Sequence, residues 1–337
     1  MSDRGRGRVK LWCHEANGVA VDRIAFLFPG QGSQVPGMGK DFAREYAESV
    51  RAYYASADEI LGLPLSRLCF EGSEEELWDT AVTQPGVFLT SLAVSAVLRE
   101  HGVRPDVVAG HSLGEYTALV HAGVLAWEDA LRLVRRRGQL MAGVNRRTPG
   151  RMAAVLGLPS ERVRELCEES SRSTGETVAV ANYNSPTQTV VSGTVAGVAA
   201  VTVAARAGGA THVAELKVSA PFHSLLMKDI EEEFADRLEA VPFSAPSLPV
   251  IANATAGYVH TGEEARESLR RQLSSPVHWS QTLELLVRED VDALVEVGPG
   301  RVLTNISRGS ASQVPAMAVG TVKQLGQALA RLTAVRA

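Results

Sequence analysis

Short apolar runs that end at glycine alternate along the chain with longer stretches whose apolar positions recur every three or four residues. Arg23-Ile24-Ala25-Phe26-Leu27-Phe28 ends in Pro29-Gly30, which predicts a buried strand feeding the tight loop Gly30-Gln31-Gly32-Ser33-Gln34. Helical spacing continues through Leu98. Val107-Val108-Ala109-Gly110 predicts a second buried strand, and the segment from Leu113 to about Val144 a helix interrupted near Gly123. Such strand–loop–helix alternation predicts a parallel α/β sheet.

The pattern changes after Gly150. Met152–Leu158 reads as a strand, Ser160–Ser170 as a helix, and Val178–Asn182 and Thr189–Ser192 as paired strands. A helix at Val195–Ala207 and a strand at Val213–Val218 complete β-α-β-β-α-β, the split βαβ pattern of a ferredoxin-like unit. The expected organisation is therefore a large α/β domain over 23–149 and 217–337, with a ferredoxin-like subdomain inserted at 150–216. In the resumed large domain, a helix is expected near Leu225–Leu238, a strand at Leu248–Asn253, a helix near Thr282–Val287 and a strand at Ala293–Val297. Residues 1–22 are expected to form a flexible extension or a docking tail.

Composition narrows the function. The chain has 337 residues, 45% of them hydrophobic, enough for a large core. The net charge of −4 gives no global argument for nucleic acid binding. Cys13, Cys69 and Cys167 lie far apart without a CxxC pair, which suggests a reducing, cytoplasmic setting and no zinc site. No apolar stretch is expected to reach the ~20 residues that span a bilayer. The basic start, MSDRGRGRVK, lacks the apolar segment of a signal peptide.

Gly110-His111-Ser112-Leu113-Gly114 fits G-x-S-x-G. Its glycines let strand and helix meet closely, so that a serine on a strained turn exposes its Oγ. The N–H of Leu113, first in the new helix, would face an acyl oxygen on Ser112. The same pattern also suits an ordinary turn with a capping serine. A nucleophilic serine needs a base. Of the eight histidines His223 is best placed, where a strand meets the helix carrying Leu226, Ile230, Phe234 and Leu238. A place in that helix's first turn would keep the imidazole neutral, whereas a solvent-capped histidine is the plainer reading. No acid between Ser112 and His223 is convincingly placed, so a carbonyl oxygen is expected to orient the base. His111, next to the serine, reads as structural.

The helix Trp127–Met141 holds an arginine on its apolar face. Arg137 lies four after Leu133, three after Val134, three before Leu140 and four before Met141, while Arg135 and Arg136 point away. A guanidinium there must be paired. It serves either a structural salt bridge or the two-bonded capture of a substrate carboxylate.

Together these residues resemble the malonyl-CoA:acyl carrier protein transacylases, including the acyltransferases of polyketide synthases. The resemblance runs from about Ile24 to Val319, with motifs in order: Phe28–Gln34, Val82-Thr83-Gln84-Pro85, Gly110–Glu115, Arg137-Gly138, Ala220-Pro221-Phe222-His223-Ser224, Gln272–Trp279 and Glu296–Gly300. It implies an α/β-hydrolase-like large domain with the ferredoxin-like insertion. It also implies a Ser112–His223 dyad oriented by the main-chain oxygen of Gln272, and an oxyanion hole from the N–H groups of Gln31 and Leu113. Arg137 would hold the acyl carboxylate, and Phe222 would favour malonyl over methylmalonyl, although Ala220-Pro221 departs from the usual modular-synthase tetrapeptide. The implied substrates are an acyl-CoA and the phosphopantetheine thiol of an acyl carrier protein. No permanently bound cofactor, metal, nucleic acid or membrane is implied, and a monomer acting in trans is expected. Lys217, Arg301 and Arg308 are candidates for a basic patch facing the acidic carrier, or are solvated surface charge. Alternatives are an acyltransferase using a non-malonyl or carrier-bound donor, and a serine thioesterase, which would not need Arg137.

Overall fold

The computed structural model describes residues 22–333 apart from Ser219. Cys13 and nearly all of the expected 1–22 extension lie outside the described residues. Two sheets organise the chain. The larger contains β1 (Ile24–Phe28), β2 (Val107–Gly110), β7 (Val250–Ile251), β8 (Tyr258–Val259), β9 (Ala293–Val297) and β10 (Ala316–Val319), in the order β10-β9-β1-β2-β7-β8. All neighbours are parallel except β8, which runs antiparallel to β7. Every residue of β1, β2 and β9 is buried, as expected for strands covered by helices on both faces.

The smaller sheet contains β3 (Gly150–Leu156), β4 (Val178–Ser185), β5 (Gln188–Thr194) and β6 (His212–Glu215), in the antiparallel order β4-β5-β3-β6. Helices Ser160–Thr174 and Val195–Ala207 cover it. The fold is therefore an α/β-hydrolase-like large domain with a ferredoxin-like small subdomain.

Several elements differ from the sequence reading. β6 stops at Glu215 instead of Val218. The strand expected at Leu248–Asn253 shrinks to Val250–Ile251, because Pro249 cannot donate to a ladder and the Asn253 N–H goes to Glu115. Helix Gly262–Gln272 was not foreseen, although Thr261 caps it by accepting from Glu264 N–H at 3.1 Å. Helices Val302–Ser310 and Val322–Thr333 and strands β8 and β10 were also missed.

Helix Thr80–Glu100 is long and apolar enough to cross a membrane by length and composition, contrary to the expectation that no such stretch exists. It is instead the central helix of the core, buried from Thr80 to Leu98. Pro85 sits inside it and cannot donate to the Ala81 carbonyl one turn back. Arg135 from the neighbouring helix Trp127–Arg147 donates to that carbonyl instead. The two helices pack closely because Gly138 has no side chain: a β-carbon there would lie 2.7 Å from the Thr80 oxygen. This approach places Arg137 beside Gln84.

Candidate active site

The site forms at the carboxyl ends of the large sheet's strands, where open α/β sheets place their ligands. β1 leads to Gln31, β2 to Ser112 and β7 to Asn253. Ser112 has φ +52°, in the left-handed region, which marks a strained elbow. The elbow needs its glycines. A β-carbon on Gly110 would lie 1.9 Å from the Gly114 carbonyl carbon, and one on Gly114 would lie 2.0 Å from the Phe28 oxygen. Asn253 braces the same turn: its Oδ1 accepts from Ser112 N–H at 2.6 Å, and its Nδ2 donates to the Gly110 oxygen at 2.6 Å.

His223 reaches the serine from a separate segment. Its Nε2 lies 2.7 Å from Ser112 Oγ. Its Nδ1 lies 2.8 Å from the Gln272 main-chain oxygen and 3.2 Å from that of Ser275. Both carbonyls can only accept, so Nδ1 carries the proton and Nε2 is free to accept from the serine hydroxyl. His223 is not in the first turn of a helix, which corrects the sequence reading. It occupies a turn with φ +56°, ahead of the 3-10 helix Leu225–Met227 and the α-helix Lys228–Glu239. Burial, seconded by the Arg137 charge, lowers its pKa to about 3 and so keeps it neutral.

Arg137 is 1% exposed. Its Nη1 donates to Gln84 Oε1 at 2.8 Å, and its Nη2 to Gln272 Oε1 at 2.9 Å and Ser112 Oγ at 3.2 Å. Among the described residues its Nε has no hydrogen-bond partner. Among the described residues no carboxylate forms an ion pair with it, so the internal salt bridge left open by the sequence is not what buries this cation. Arg136 pairs with Glu233 on the helix's other side. The Tyr116 ring lies 5.7 Å from the Arg137 guanidinium carbon, within range of a cation–π contact.

The remaining expected residues are also close by. Leu113 is fully buried at the start of helix Gly114–His121. Among the described residues, neither its main-chain N–H nor that of Gln31 donates to a protein acceptor. The Gln31 side chain donates to Thr80 Oγ1 at 3.2 Å. Phe222 is buried in the main core next to His223 in the chain. His111 turns away from the serine: its Nε2 meets Asn184 Oδ1 of β4 at 2.9 Å, and its ring packs against Trp279.

Residues 25–334 match the family described as acyl transferase domain. The chain belongs to this family. Among its relatives, the malonyl CoA-acyl carrier protein transacylase of Bacillus subtilis (strain 168) is 39% identical over 312 residues, covering 93% of this chain and 98% of that protein. The transacylase of the same name from Escherichia coli O157:H7 is also 39% identical, covering 92% of this chain and 99% of that protein. Two of the solved structures that share the fold of this acyltransferase illustrate the likeness. One is a complex of a type II polyketide synthase acyl-carrier protein with its malonyl-transacylase; the matching chain has a TM-score of 0.87 at 39% identity and covers 92% of this chain and 99% of that one. The other is the malonyl CoA-acyl carrier protein transacylase of Coxiella burnetii, with a TM-score of 0.89 at 32% identity, 94% of this chain and 100% of that one.

Sequence reasoning gave no role to Asn253, Gln84, Glu115, Ser268 or Asn184, which the acyltransferase fold gathers around the site. Gln84 and Glu115 lie inside motifs that carry the family resemblance. Ser268 and Gln272, four apart, share a face of an unforeseen helix. Asn253, the expected end of the strand at Leu248–Asn253, lies beyond the two residues that form it, and strand periodicity assigns such a position no role.

Proposed function

We propose that this chain moves a malonyl group from a coenzyme A thioester to the phosphopantetheine thiol of an acyl carrier protein, by way of a malonyl ester on Ser112. One observation carries the reading: Ser112 Oγ lies 2.7 Å from the His223 imidazole Nε2 and 3.2 Å from a buried guanidinium that, among the described residues, has no carboxylate partner. A base and an anion clamp thus converge on one hydroxyl, which suits an acyl group ending in a carboxylate.

The Ser112 hydroxyl gives its proton to His223 Nε2 as Oγ bonds to the thioester carbon. The negative charge on the former carbonyl oxygen is taken up by the N–H groups of Gln31 and Leu113. As the oxygen reforms its double bond, the carbon–sulfur bond breaks and the departing sulfur takes the proton from His223. The carrier thiol repeats these steps in the opposite sense: His223 removes the thiol proton, sulfur bonds to the carbonyl carbon, and the Ser112 oxygen leaves with the proton. The main-chain oxygen of Gln272 holds the imidazole in the required tautomer throughout. Arg137 meets the malonyl carboxylate. That contact also offsets the Arg137 charge, which adds to burial in lowering the His223 pKa.

Arg301, Arg308 and Arg331 line a cavity of about 250 Å³ with Thr304 and Gln324. Among the described residues no ion pair neutralises them, and their place in this reading is toward the acidic carrier or the phosphates of the donor. The buried free thiols Cys69 and Cys167 suit a reducing cytoplasm.

Intact-mass measurement with malonyl-CoA tests the reading. One malonyl adduct is expected on the parent protein and none on Ser112→Ala. An adduct that persists on the alanine variant would refute the nucleophile.

A further inference from the structure

Glu115 is fully buried one helical turn beyond the serine, and the acyl-transfer steps do not use it. A buried carboxylate is costly unless its oxygens are satisfied. Three donors do so here. Its Oε1 accepts from Ser268 Oγ at 2.8 Å. Its Oε2 accepts from Gln272 Nε2 at 2.7 Å and from the Asn253 main-chain N–H at 3.1 Å. Its donors come from just the two segments that brace the nucleophile and its base.

Gln272 is the connection. An amide offers donors at one end and an acceptor at the other, and the two ends are nearly interchangeable unless neighbours choose. Here Nε2 donates to Glu115 and, at 2.9 Å, to the Ser112 carbonyl, so Oε1 must face Arg137. If the amide were turned over, Nε2 would face the guanidinium, donor against donor. The same residue's main-chain oxygen holds His223.

We propose that Glu115 is a positioning residue: by fixing which way the Gln272 amide points, it aims Arg137 at the acyl carboxylate and holds the 272–275 segment against His223. This inference rests on the acyl-transfer reading and assigns an additional residue to its substrate selectivity. Glu115 touches neither substrate nor reacting atoms.

The test compares kcat/KM for malonyl-CoA and acetyl-CoA in three variants of the full chain. Glu115→Asp keeps the charge but withdraws it by one methylene from Gln272. A loss of about 100-fold on malonyl-CoA is expected, the scale of a 1 Å misplacement, with a smaller loss on acetyl-CoA. Glu115→Gln restores much of that loss, because its carbonyl can serve Gln272 and Asn253 while its NH2 turns to the Ser268 oxygen. Gln272→Met, which keeps the main-chain oxygen, should reproduce the aspartate variant. The double variant Glu115→Asp/Gln272→Met should be no worse than either single one. An unchanged malonyl-to-acetyl ratio in Glu115→Asp, or additive losses in the double variant, would overturn the proposal. Should Glu115→Asp fail to fold, the Gln272→Met ratio decides alone: unchanged, it rejects the role. Failure here is distinct from failure of the broader reading, which would show as an acyl adduct on Ser112→Ala.

Discussion

The two sheets fill their interiors differently. The four-stranded sheet packs Val155, Val163, Leu166, Val191 and Val201 into an apolar core. Among the described residues, the buried carboxylates and the buried guanidinium are Glu115, Arg137, Glu231 and Glu296, and none belongs to this smaller sheet or its helices. The six-stranded sheet instead buries Glu115 and Arg137 together with Gln84, Gln272, Asn253 and His223 near the ends of its strands. A buried polar network weakens the fold unless complete and orders side chains tightly when it is. One unit is thus built mainly for packing, the other to hold charge in place. They meet where Tyr183 N–H of β4 donates to the Val277 oxygen at 2.9 Å and where Asn184 meets His111, so the smaller unit steadies the larger one's site from outside.

If this division is real, variants in the two regions should separate activity from stability. The largest effect is expected at Arg137. Arg137→Ala should lower kcat/KM for malonyl-CoA by about 2–5 kcal/mol of transition-state binding, the usual cost of removing one partner of a buried charge pair, and leave acetyl-CoA much less affected. Equal losses would show that the guanidinium is not a carboxylate clamp. Asn253→Ala comes next. It leaves Ser112 N–H and the Gly110 oxygen unpaired at a strained turn, at about 1–3 kcal/mol in stability for each buried group left unpaired, and both donors should lose turnover alike. A third test uses pH. His223 must be neutral to act, and burial with the Arg137 charge brings its pKa to about 3. The acid limb of kcat/KM should therefore lie well below the ordinary histidine value near 6.5. A limb at 6.5 would mean an exposed base.

Smaller effects complete the contrast. Arg308→Glu should raise KM for the carrier by about fivefold or less, as for an exposed ion pair, without altering formation of the malonyl-enzyme. Leu166→Ala in the smaller sheet should cost about 2–5 kcal/mol of stability, read by chemical denaturation, with kcat unchanged. A large fall in kcat there would erase the distinction between the regions.

Parts of both regions were legible in the sequence: the β-α-β-β-α-β order of the smaller unit, and the main strands and the elbow of the larger one. β1 and β2 are uninterrupted apolar runs that lead to glycine, β9 is a similar run broken only by Glu296, and the elbow follows from Gly110 and Gly114 by sterics alone. Arg137 stood out as a charge on an apolar stripe. The residues that bring the parts together were not visible. Nothing local says that Asn253, after a two-residue strand, braces a serine 141 positions earlier. Helix Gly262–Gln272 is almost all charged and polar, so its two buried apolar side chains, Ala265 and Leu269, gave too weak a period to be seen. The sequence set His223 in the first turn of a helix, whereas it lies in a turn ahead of one, where burial and the Arg137 charge lower its pKa.

The fate of the malonyl group once it leaves coenzyme A distinguishes transfer from hydrolysis most directly. Malonyl-enzyme freed of excess donor should be mixed with holo carrier protein and both chains weighed over time. The predicted result is that Ser112 loses malonyl as the carrier gains it, in equal amounts and faster than buffer alone removes it. Release of free malonate with the carrier unmodified would contradict transfer and leave a hydrolase.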